Sequence, residues 1–239
     1  MTTIDDNDAS AGRRTTKCAV VTGASSGIGK AIVSRLLGDG WKVVGLSRSV
    51  SGENSTDFRA LSVDLSDFAH LKQVLSEISE VDAIVHAAGF MRTAPLGALV
   101  PADSEAMWAV HVGAAEVLVN QLVEKLPDGG RIVLIGSRTA AGASGRSQYA
   151  ATKAALLGMA RSWAAEVAAR QITVNVVAPA ATETPMLLDP KRLGTQPKRP
   201  PMGRFIRPEE IAGVTAFLLG PDAGAITGQQ IVVCAGSSL

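Results

Sequence analysis

The sequence contains few histidines, cysteines and aromatic residues, and it carries almost no net charge. Its 239 residues include three histidines, and 23 lysines and arginines nearly balance 22 aspartates and glutamates. The resulting charge of +1 argues against binding to nucleic acid or acidic membranes, which needs a clustered basic excess. His70, His86 and His111 lack the close spacing of metal ligands, so we expect no metal site.

The scarcity of cysteine and of long apolar runs limits the cellular setting. Cys18 and Cys234 both lie in apolar, strand-like runs, so we expect two buried thiols and a reducing compartment, the cytoplasm. No apolar run approaches the ~20 residues that a membrane span needs. Residues 1–16 are polar and lack the apolar centre of a secretory signal. We expect them to form a flexible tail ahead of a single domain at 17–239.

From residue 17 onward, short apolar runs alternate with segments of helical periodicity. The patterns predict strands at 18–21, 43–46, 61–63, 83–86, 131–135, 172–177 and 230–233, and helices at 28–37, 67–78, 104–125, 148–169 and after 208. Apolar strands that alternate with helices indicate a parallel sheet covered on both faces. Right-handed crossovers then give a doubly wound, Rossmann-like α/β fold. Residues 185–207, with five prolines, are predicted to form a mobile substrate loop near the active face.

A glycine-rich loop joins the first predicted strand to the first helix. Residues 22–29 read TGASSGIG, with glycines at 23, 27 and 29. Glycine permits a tight turn and a close approach of the backbone to a pyrophosphate, and the helix N-terminus supplies unpaired N–H groups. The strand–loop–helix context favours a dinucleotide site over a plain turn.

The same loop also matches a different catalytic motif. Residues 23–27 fit G-x-S-x-G, the nucleophile elbow of serine hydrolases, with Ser25 as the nucleophile. Such a triad closes with a histidine late in the chain, but the last histidine is His111. A serine hydrolase is therefore the third-ranked interpretation.

The only tyrosine, Tyr149, stands four residues before Lys153. On a helix the two share one face about 6 Å apart. A nearby ammonium stabilises a phenolate and lowers the pKa of a tyrosine from ~10, which makes it a proton donor near neutral pH. Ser137 follows strand 131–135, at the sheet edge where doubly wound folds bind ligands. Its hydroxyl can hold a carbonyl oxygen beside the tyrosine.

Together these motifs resemble the short-chain dehydrogenase/reductase family in its short, single-domain form, and within it the 3-oxoacyl-carrier-protein-reductase-like enzymes. The resemblance spans about 17–236 and includes VDL at 63–65, HAAG at 86–89, VNVVAP at 174–179 and ITGQ at 226–229. It implies hydride transfer between a nicotinamide and a carbonyl or alcohol. Tyr149 is implied as the acid/base, Ser137 as the residue that positions the substrate oxygen, and Lys153 as the ligand of the nicotinamide ribose. A catalytically idle redox sensor or scaffold that binds a dinucleotide is the alternative.

The resemblance further implies a cofactor site, in which Asp64 and Leu65 contact adenine, the backbone of Ala87 and Gly89 lines the ribose, and two threonines hold the carboxamide. The implied cofactor-binding residues are Gly23, Ser25, Ser26, Gly27, Ile28, Gly29, Ser47, Arg48, Asp64, Leu65, Ala87, Gly89, Tyr149, Lys153, Pro179, Thr182 and Thr184.

Three positions depart from the family pattern. His111 stands where the family usually has an asparagine whose backbone carbonyl holds a water leading to the lysine. We expect either an altered proton relay or a packed core histidine there. Ala180 replaces the glycine after Pro179, and His86 replaces the first asparagine of an N-N-A-G motif.

The residues that end the second strand predict the choice of cofactor. An acidic side chain there binds the ribose 2′-hydroxyl of NAD and repels a 2′-phosphate. This chain instead has Ser47 followed by Arg48, and a guanidinium suits a phosphate. We therefore expect NADP(H) rather than NAD(H).

The substrate and the partners are less constrained by the sequence. Loop 185–207 supplies apolar residues and the cations Lys191, Arg192, Lys198, Arg199 and Arg204, and Arg138 and Arg146 flank the catalytic segment. These charges fit either an anionic or carrier-bound carbonyl substrate or, as the favoured interpretation, a soluble mobile loop. The family resemblance implies a homotetramer, or a homodimer, built on helices 104–125 and 148–169.

Overall fold

The computed structural model of the protein describes residues 16–49, 54–188 and 198–239. Nearly all of the predicted tail, and residues 189–197 of the predicted substrate loop, lie outside the described residues. The elements are β1 (Cys18–Thr22), α1 (Gly27–Gly38), β2 (Lys42–Ser47), β3 (Phe58–Ser62), α2 (Phe68–Ser76), β4 (Ala83–His86), α3 (Pro101–Trp108), α4 (Ala114–Leu122), β5 (Arg131–Ile135), α5 (Ser147–Val167), β6 (Thr173–Pro179), α6 (Pro208–Leu219) and β7 (Gln230–Val233).

One seven-stranded sheet carries the fold, with strand order β3-β2-β1-β4-β5-β6-β7 and parallel pairing throughout. The chain first moves outward from β1 to β3 and then returns to β4 on the other side of β1. This reversal opens a crevice at the carboxyl ends of β1 and β4, where doubly wound folds bind ligands. The predicted doubly wound α/β fold is confirmed.

Two apolar cores cover the two faces of the sheet. On one face α2, α4 and α5 bury Leu71, Leu118 and Leu156 against the strands. On the other face α1 and α6 bury Ile32 and Ile211. Strands β4 and β6 are buried along their whole length, as a sheet covered on both faces requires. The strand ends, rather than the strand faces, are therefore left for ligands.

Two element starts differ by three residues from the predictions, more than the other starts do. β3 spans Phe58–Ser62 rather than 61–63, because it is an edge strand whose exposed Arg59 interrupts the apolar run. The long helix begins at Pro101 rather than 104, since proline is well tolerated in a first helical turn. Its middle, Ala109–Gly113, is a π-helical turn between α3 and α4.

One helical stretch has the length and composition of a membrane span, and one expectation about the cysteines was wrong. The continuous helical stretch Pro101–Lys125 is 25 residues long with a mean hydropathy of 1.3 in its most apolar window, which meets the length and composition of a membrane span. Core helices of folded proteins pass the same criterion, and Leu118 and Leu122 of this stretch are fully buried in the protein. Cys18 is buried as expected, but Cys234 is only partly buried, because β7 ends one residue before it.

Candidate active site

The loop after β1 has a backbone shape that glycine alone allows. Gly23 and Gly27 have φ values of +69° and +54°, a region that disfavours other residues. A Cβ on Gly23 would lie 2.9 Å from the Cα and N of Ala88, and a Cβ on Gly29 would lie 2.2 Å from the carbonyl oxygen of Gly23. The loop therefore packs directly against the segment after β4 with no space for side chains.

The N-terminus of α1 opens into a cavity beside this loop. Ser26, the residue that precedes the helix, makes no capping hydrogen bond with its side chain, so the first amides of the helix lack that partner. Ser26, Gly27, Ile28 and Gly29 line the cavity. Uncapped amides and the positive end of the helix dipole together suit a phosphate group.

A buried threonine–histidine pair holds the segment after β4. The amides of Ala87 and Ala88 donate to Oγ1 of Thr22 at 3.0 and 3.1 Å. His86 donates from Nε2 to the carbonyl of Val110 at 3.1 Å, so its Nδ1 accepts the Thr22 hydroxyl at 3.0 Å. The histidine thus fixes the backbone of residues 87–89 at the cavity wall and explains how this departure from the family pattern is accommodated.

Ser137, Tyr149 and Lys153 line the same cavity, whose volume is about 1330 Å³. Ser137 lies just beyond β5, and its Oγ accepts the amide of Thr139 at 3.1 Å. Tyr149 and Lys153 lie in the first two turns of α5, and each is only 5% exposed. Nζ of Lys153 donates to the carbonyl of Ile135 at 2.8 Å and lies 6.0 Å from the Tyr149 ring centroid. Burial lowers the pKa of Lys153 to about 7.

His111 lies in the π-helical turn and is fully buried beside these residues. Its ring meets the Tyr149 ring edge-on, with centroids 5.6 Å apart. Both ring nitrogens are hydrogen-bonded, one to the amide of Phe90 and one to the hydroxyl of Thr152. Burial, followed by the charge of Lys153, holds the pKa of His111 well below 6.5. The residue is therefore a neutral, packed histidine, the second of the two expectations for this position.

The structure brings most of the predicted site residues together. Those that line the cavity are Gly23, Ser26, Gly27, Ile28, Gly29, Ala87, Gly89, Ser137, Tyr149, Lys153, Pro179, Thr182 and Thr184. Five others do not line it: Ser25, Ser47, Arg48, Asp64 and Leu65. The Leu65 side chain is packed in the core, and the Asp64 carboxylate accepts the amide and hydroxyl of Ser66 at 2.9 and 2.7 Å. These hydrogen bonds lower the pKa of Asp64.

Sequence reasoning missed three residues that shape the cavity wall. Thr22 and Thr152 act through the hydrogen bonds described above, and Phe90 lines the cavity directly. A polar residue at the end of an otherwise apolar strand was the available signal for Thr22. Thr152 and Phe90 carry no such signal, because only the fold brings them to His111.

The structure gives the serine hydrolase interpretation no base. His86 and His111 use both ring nitrogens for partners other than Ser25. His70 is exposed on α2, on a different layer of the fold. Among the described residues, no histidine is therefore available to activate this serine.

Known proteins resemble this chain over nearly its whole length. Residues 23–238 match the family model described as enoyl-(acyl carrier protein) reductase. The 3-oxoacyl-[acyl-carrier-protein] reductase of Salmonella typhimurium is 37% identical over 92% of this chain and 96% of its own length. The 2,3-dihydro-2,3-dihydroxybenzoate dehydrogenase of Escherichia coli is 36% identical over 92% of this chain and 96% of its own.

Solved structures extend the likeness to three dimensions. A blue fluorescent protein from a metagenomic library, in complex with NADPH, has a TM-score of 0.85 and 35% identity, covering 93% of this chain and 98% of its own. A short-chain dehydrogenase/reductase from Serratia marcescens has a TM-score of 0.79 and 33% identity over the same shares. The chain belongs to the short-chain dehydrogenase/reductase family. It is a nicotinamide-dependent oxidoreductase that acts on a carbonyl or an alcohol.

Proposed function

We propose that the protein is an NADPH-dependent carbonyl reductase in which Tyr149 protonates the substrate oxygen. The observation that carries the proposal is that Ser137, Tyr149 and Lys153 share one cavity with the glycine loop. Residues 17–239 would form one catalytic domain, with 185–207 as its substrate loop. When bound, NADPH supplies a hydride to the carbonyl carbon, and the protein must position that carbon and supply a proton.

The residues present fit a dinucleotide. The crowded glycines leave the loop backbone bare, and the open N-terminus of α1 suits a pyrophosphate. Among the described residues 47–49, at the end of β2, there is no carboxylate to repel a 2′-phosphate: the Ser47 hydroxyl donates to the carbonyl of Ser49 at 2.7 Å, and Arg48 is exposed. The structural relative that binds NADPH adds support for NADPH over NADH.

We expect the phenol of Tyr149, on α5, to supply the proton. We expect Ser137 Oγ to donate a hydrogen bond to the substrate oxygen while Tyr149 delivers its hydroxyl proton there. Lys153 lies close enough for its ammonium to stabilise negative charge on the phenol oxygen that remains. Its hydrogen bond to the Ile135 carbonyl holds Nζ in place beside that ring.

A 3-oxoacyl thioester is the first substrate to test, because several relatives are 3-oxoacyl-[acyl-carrier-protein] reductases. NADPH oxidation should be followed with such thioesters and with simple ketones. Tyr149→Phe should lower kcat by about 10²- to 10⁴-fold, the range of a lost general acid, with NADPH affinity unchanged. No NADPH oxidation by the wild type with any of these substrates would favour the idle dinucleotide-binding alternative, and an equal, measurable kcat in the two proteins would indicate another acid.

We also propose a homotetramer or homodimer in the cytoplasm, in keeping with the family resemblance. Apolar Val100 and Trp108 are 46% and 41% exposed on the helical stretch that begins at α3, and burying them would favour association. Sedimentation at micromolar concentration should give two or four protomers. A stable monomer would rule this assembly out.

A further inference from the structure

The charged side chains among the described residues that line the cavity are all cationic. Among the residues that line it, the ionisable side chains are Arg138, Arg146, Lys153, Lys198 and Arg199, with no aspartate or glutamate side chain among the described lining residues. In a chain whose charges otherwise nearly cancel, this concentration is local. It gives the cavity a positive potential.

The structure separates the cations that already have partners from those that do not. Arg204 forms a two-pronged ion pair with Glu210, at 2.7 and 2.8 Å, which also lowers the pKa of Glu210 to about 2. Arg204 therefore differs from the other cations of the loop with which the sequence groups it, because its charge is paired. Arg138 and Arg146, in contrast, form no ion pair with another described residue.

Arg146 carries the clearest sign of a missing partner. Its Nε is buried and has no hydrogen-bond acceptor among the described residues. Leaving a buried donor unsatisfied is costly, more so for a charged group. A guanidinium carries N–H donors and no acceptor, so only an acceptor can satisfy this nitrogen. The buried Nε does not face the cavity as the side chain stands, so an anion there would relieve the cost by drawing the guanidinium toward it.

Both arginines stand next to the reacting groups. Arg138 directly follows Ser137, and Arg146 precedes α5 three residues before Tyr149. Residues 129–165 contain no aspartate or glutamate. The loop between the arginines is anchored by the amide of Ala94, which donates to the carbonyl of Gly145 at 3.1 Å.

The glycine loop already serves the cofactor's phosphates, and it lies after β1, separated in the sheet from β5 by β4. Phe90 and Met186, two apolar lining residues of the cavity, pack against the cluster that contains Tyr149. Apolar walls beside the phenol, together with the arginines, suit a substrate that has a carbon skeleton and an anionic end. The phosphates of the cofactor are therefore not the anion that these arginines would bind.

Building on the proposed function, we propose that Arg138 and Arg146 form an anion subsite that binds a carboxylate or phosphate group on the carbonyl substrate. A guanidinium matches the paired oxygens of either group. Holding the anionic end there would place the carbonyl near Ser137 and Tyr149. The substrate class is thus an oxo acid or an oxo phosphate ester rather than a neutral ketone.

The test compares matched substrates in the intact enzyme with NADPH. One pair is 3-oxobutanoate and its methyl ester, and the other is dihydroxyacetone phosphate and dihydroxyacetone, so that the two pairs separate carboxylate from phosphate. The wild-type kcat/KM should favour one anionic member at least about 10-fold. Arg146→Gln should lower kcat/KM for that member about 10- to 100-fold, with less than about a 3-fold change for its neutral partner.

Arg161→Gln is the matched control, because Arg161 is exposed on α5 and does not line the cavity. It should leave both members of each pair unchanged. Equal kcat/KM for anionic and neutral members, with the Arg146 variant affecting both alike, overturns the subsite while leaving the reductase proposal intact.

A binding measurement decides the inference if no ketone is reduced, an outcome that would count against the proposed function. Calorimetry with benzoate and benzamide, in the presence of NADPH, probes the subsite without turnover. Benzoate should bind the wild type at least about 5-fold more tightly than it binds Arg146→Gln, and benzamide should bind the two equally. Equal benzoate affinities would overturn the subsite.

Discussion

His111 donates from Nδ1 to the hydroxyl of Thr152 at 2.8 Å, and Thr152 donates onward to the carbonyl of Tyr149 at 2.9 Å. Nε2 of the same ring accepts the amide of Phe90 at 3.1 Å. An amide can only donate, so the neutral ring carries its proton on Nδ1. The histidine therefore ties the cavity wall at Phe90 to the helical turn that carries the phenol.

The first prediction concerns this bridge. His111→Ala leaves the buried amide of Phe90 without an acceptor, which costs about 2 kcal/mol of folding free energy and about 4–8 °C in Tm. It should also lower kcat, because the turn with Tyr149 loses its anchor. His111→Asn should lose less stability and less kcat, since an amide side chain can both accept and donate hydrogen bonds. Thermal unfolding and steady-state kinetics measure the two effects.

Thr152→Val is the control for the path of the effect. It removes the hydroxyl of Thr152 while keeping its shape, so it should lower kcat with little change in the KM for NADPH. If the bridge acts as a unit, the two substitutions together should cost less kcat than the sum of their separate effects in free energy. Strictly additive losses would mean that the two residues act separately.

The second prediction is a loss of stability in acid. Burial lowers the pKa of His86 to about 3 and holds that of His111 well below 6.5. Because an unfolded histidine titrates near 6.5, the unfolded chain takes up protons that the folded chain refuses. Stability present above pH 6.5 should therefore fall as the pH drops, by up to about 1.4 kcal/mol per pH unit for each histidine.

Urea unfolding between pH 4 and 7 measures this slope. His111→Asn should reduce it by about one proton's worth. An unchanged slope in the His111 variant would show that its ring takes up a proton in the folded state.

The third prediction concerns Lys153, whose pKa burial lowers to about 7. An unfolded lysine titrates near 10.4, so between about pH 7 and 10.4 the unfolded chain binds more protons. The free energy of unfolding should therefore rise with pH across this window. Lys153→Met should remove that rise. Its free energy of unfolding should exceed that of the wild type by the largest margin at pH 6. Parallel pH profiles for the two proteins would contradict a buried ammonium.

The sequence predicted the elements whose signals are local. The apolar runs at 83–86, 131–135 and 230–233 coincide with β4, β5 and β7, because buried parallel strands read as continuous apolar segments. The glycines of the first loop and the spacing of Tyr149 and Lys153 are local in the same sense. Their assembly around one cavity follows from the strand order, which places their elements at one edge of the sheet.

What the sequence could not show depends on contacts that only the folded chain brings together. The ion pair of Arg204 with Glu210 connects a loop to the start of α6, and nothing in the loop's composition separates it from the unpaired Arg146. The partners of His111 come from residues 21 positions before it and 41 after it. The choice between a relay and a packed histidine was therefore open until the fold was known.

The fourth prediction uses the crowding at Gly29. A Cβ there would lie 2.2 Å from the carbonyl of Gly23, so Gly29→Ala must displace the loop that receives the cofactor. We expect NADPH affinity to fall at least about 10-fold, as for a misplaced binding group. Gly158→Ala is a matched control in α5: its Cβ would meet nothing within 4 Å, and it should raise stability by about 0.5–1 kcal/mol. Calorimetric titration with NADPH compares the three proteins.

The last prediction concerns the choice between the two nicotinamide cofactors. Arg48 is exposed just after β2. Its charge helps to lower the pKa of Asp64, and no acidic residue ends the strand to cancel it. If its guanidinium binds the 2′-phosphate, Arg48→Ala should raise the KM for NADPH about 10-fold, as expected for a lost charge-assisted hydrogen bond, and leave the KM for NADH unchanged. Arg59→Ala is the control, because Arg59 on the neighbouring strand pairs with Glu77 at 3.2 Å instead. A lower KM for NADH than for NADPH in the wild type, unaffected by Arg48→Ala, would reverse the assignment of the cofactor.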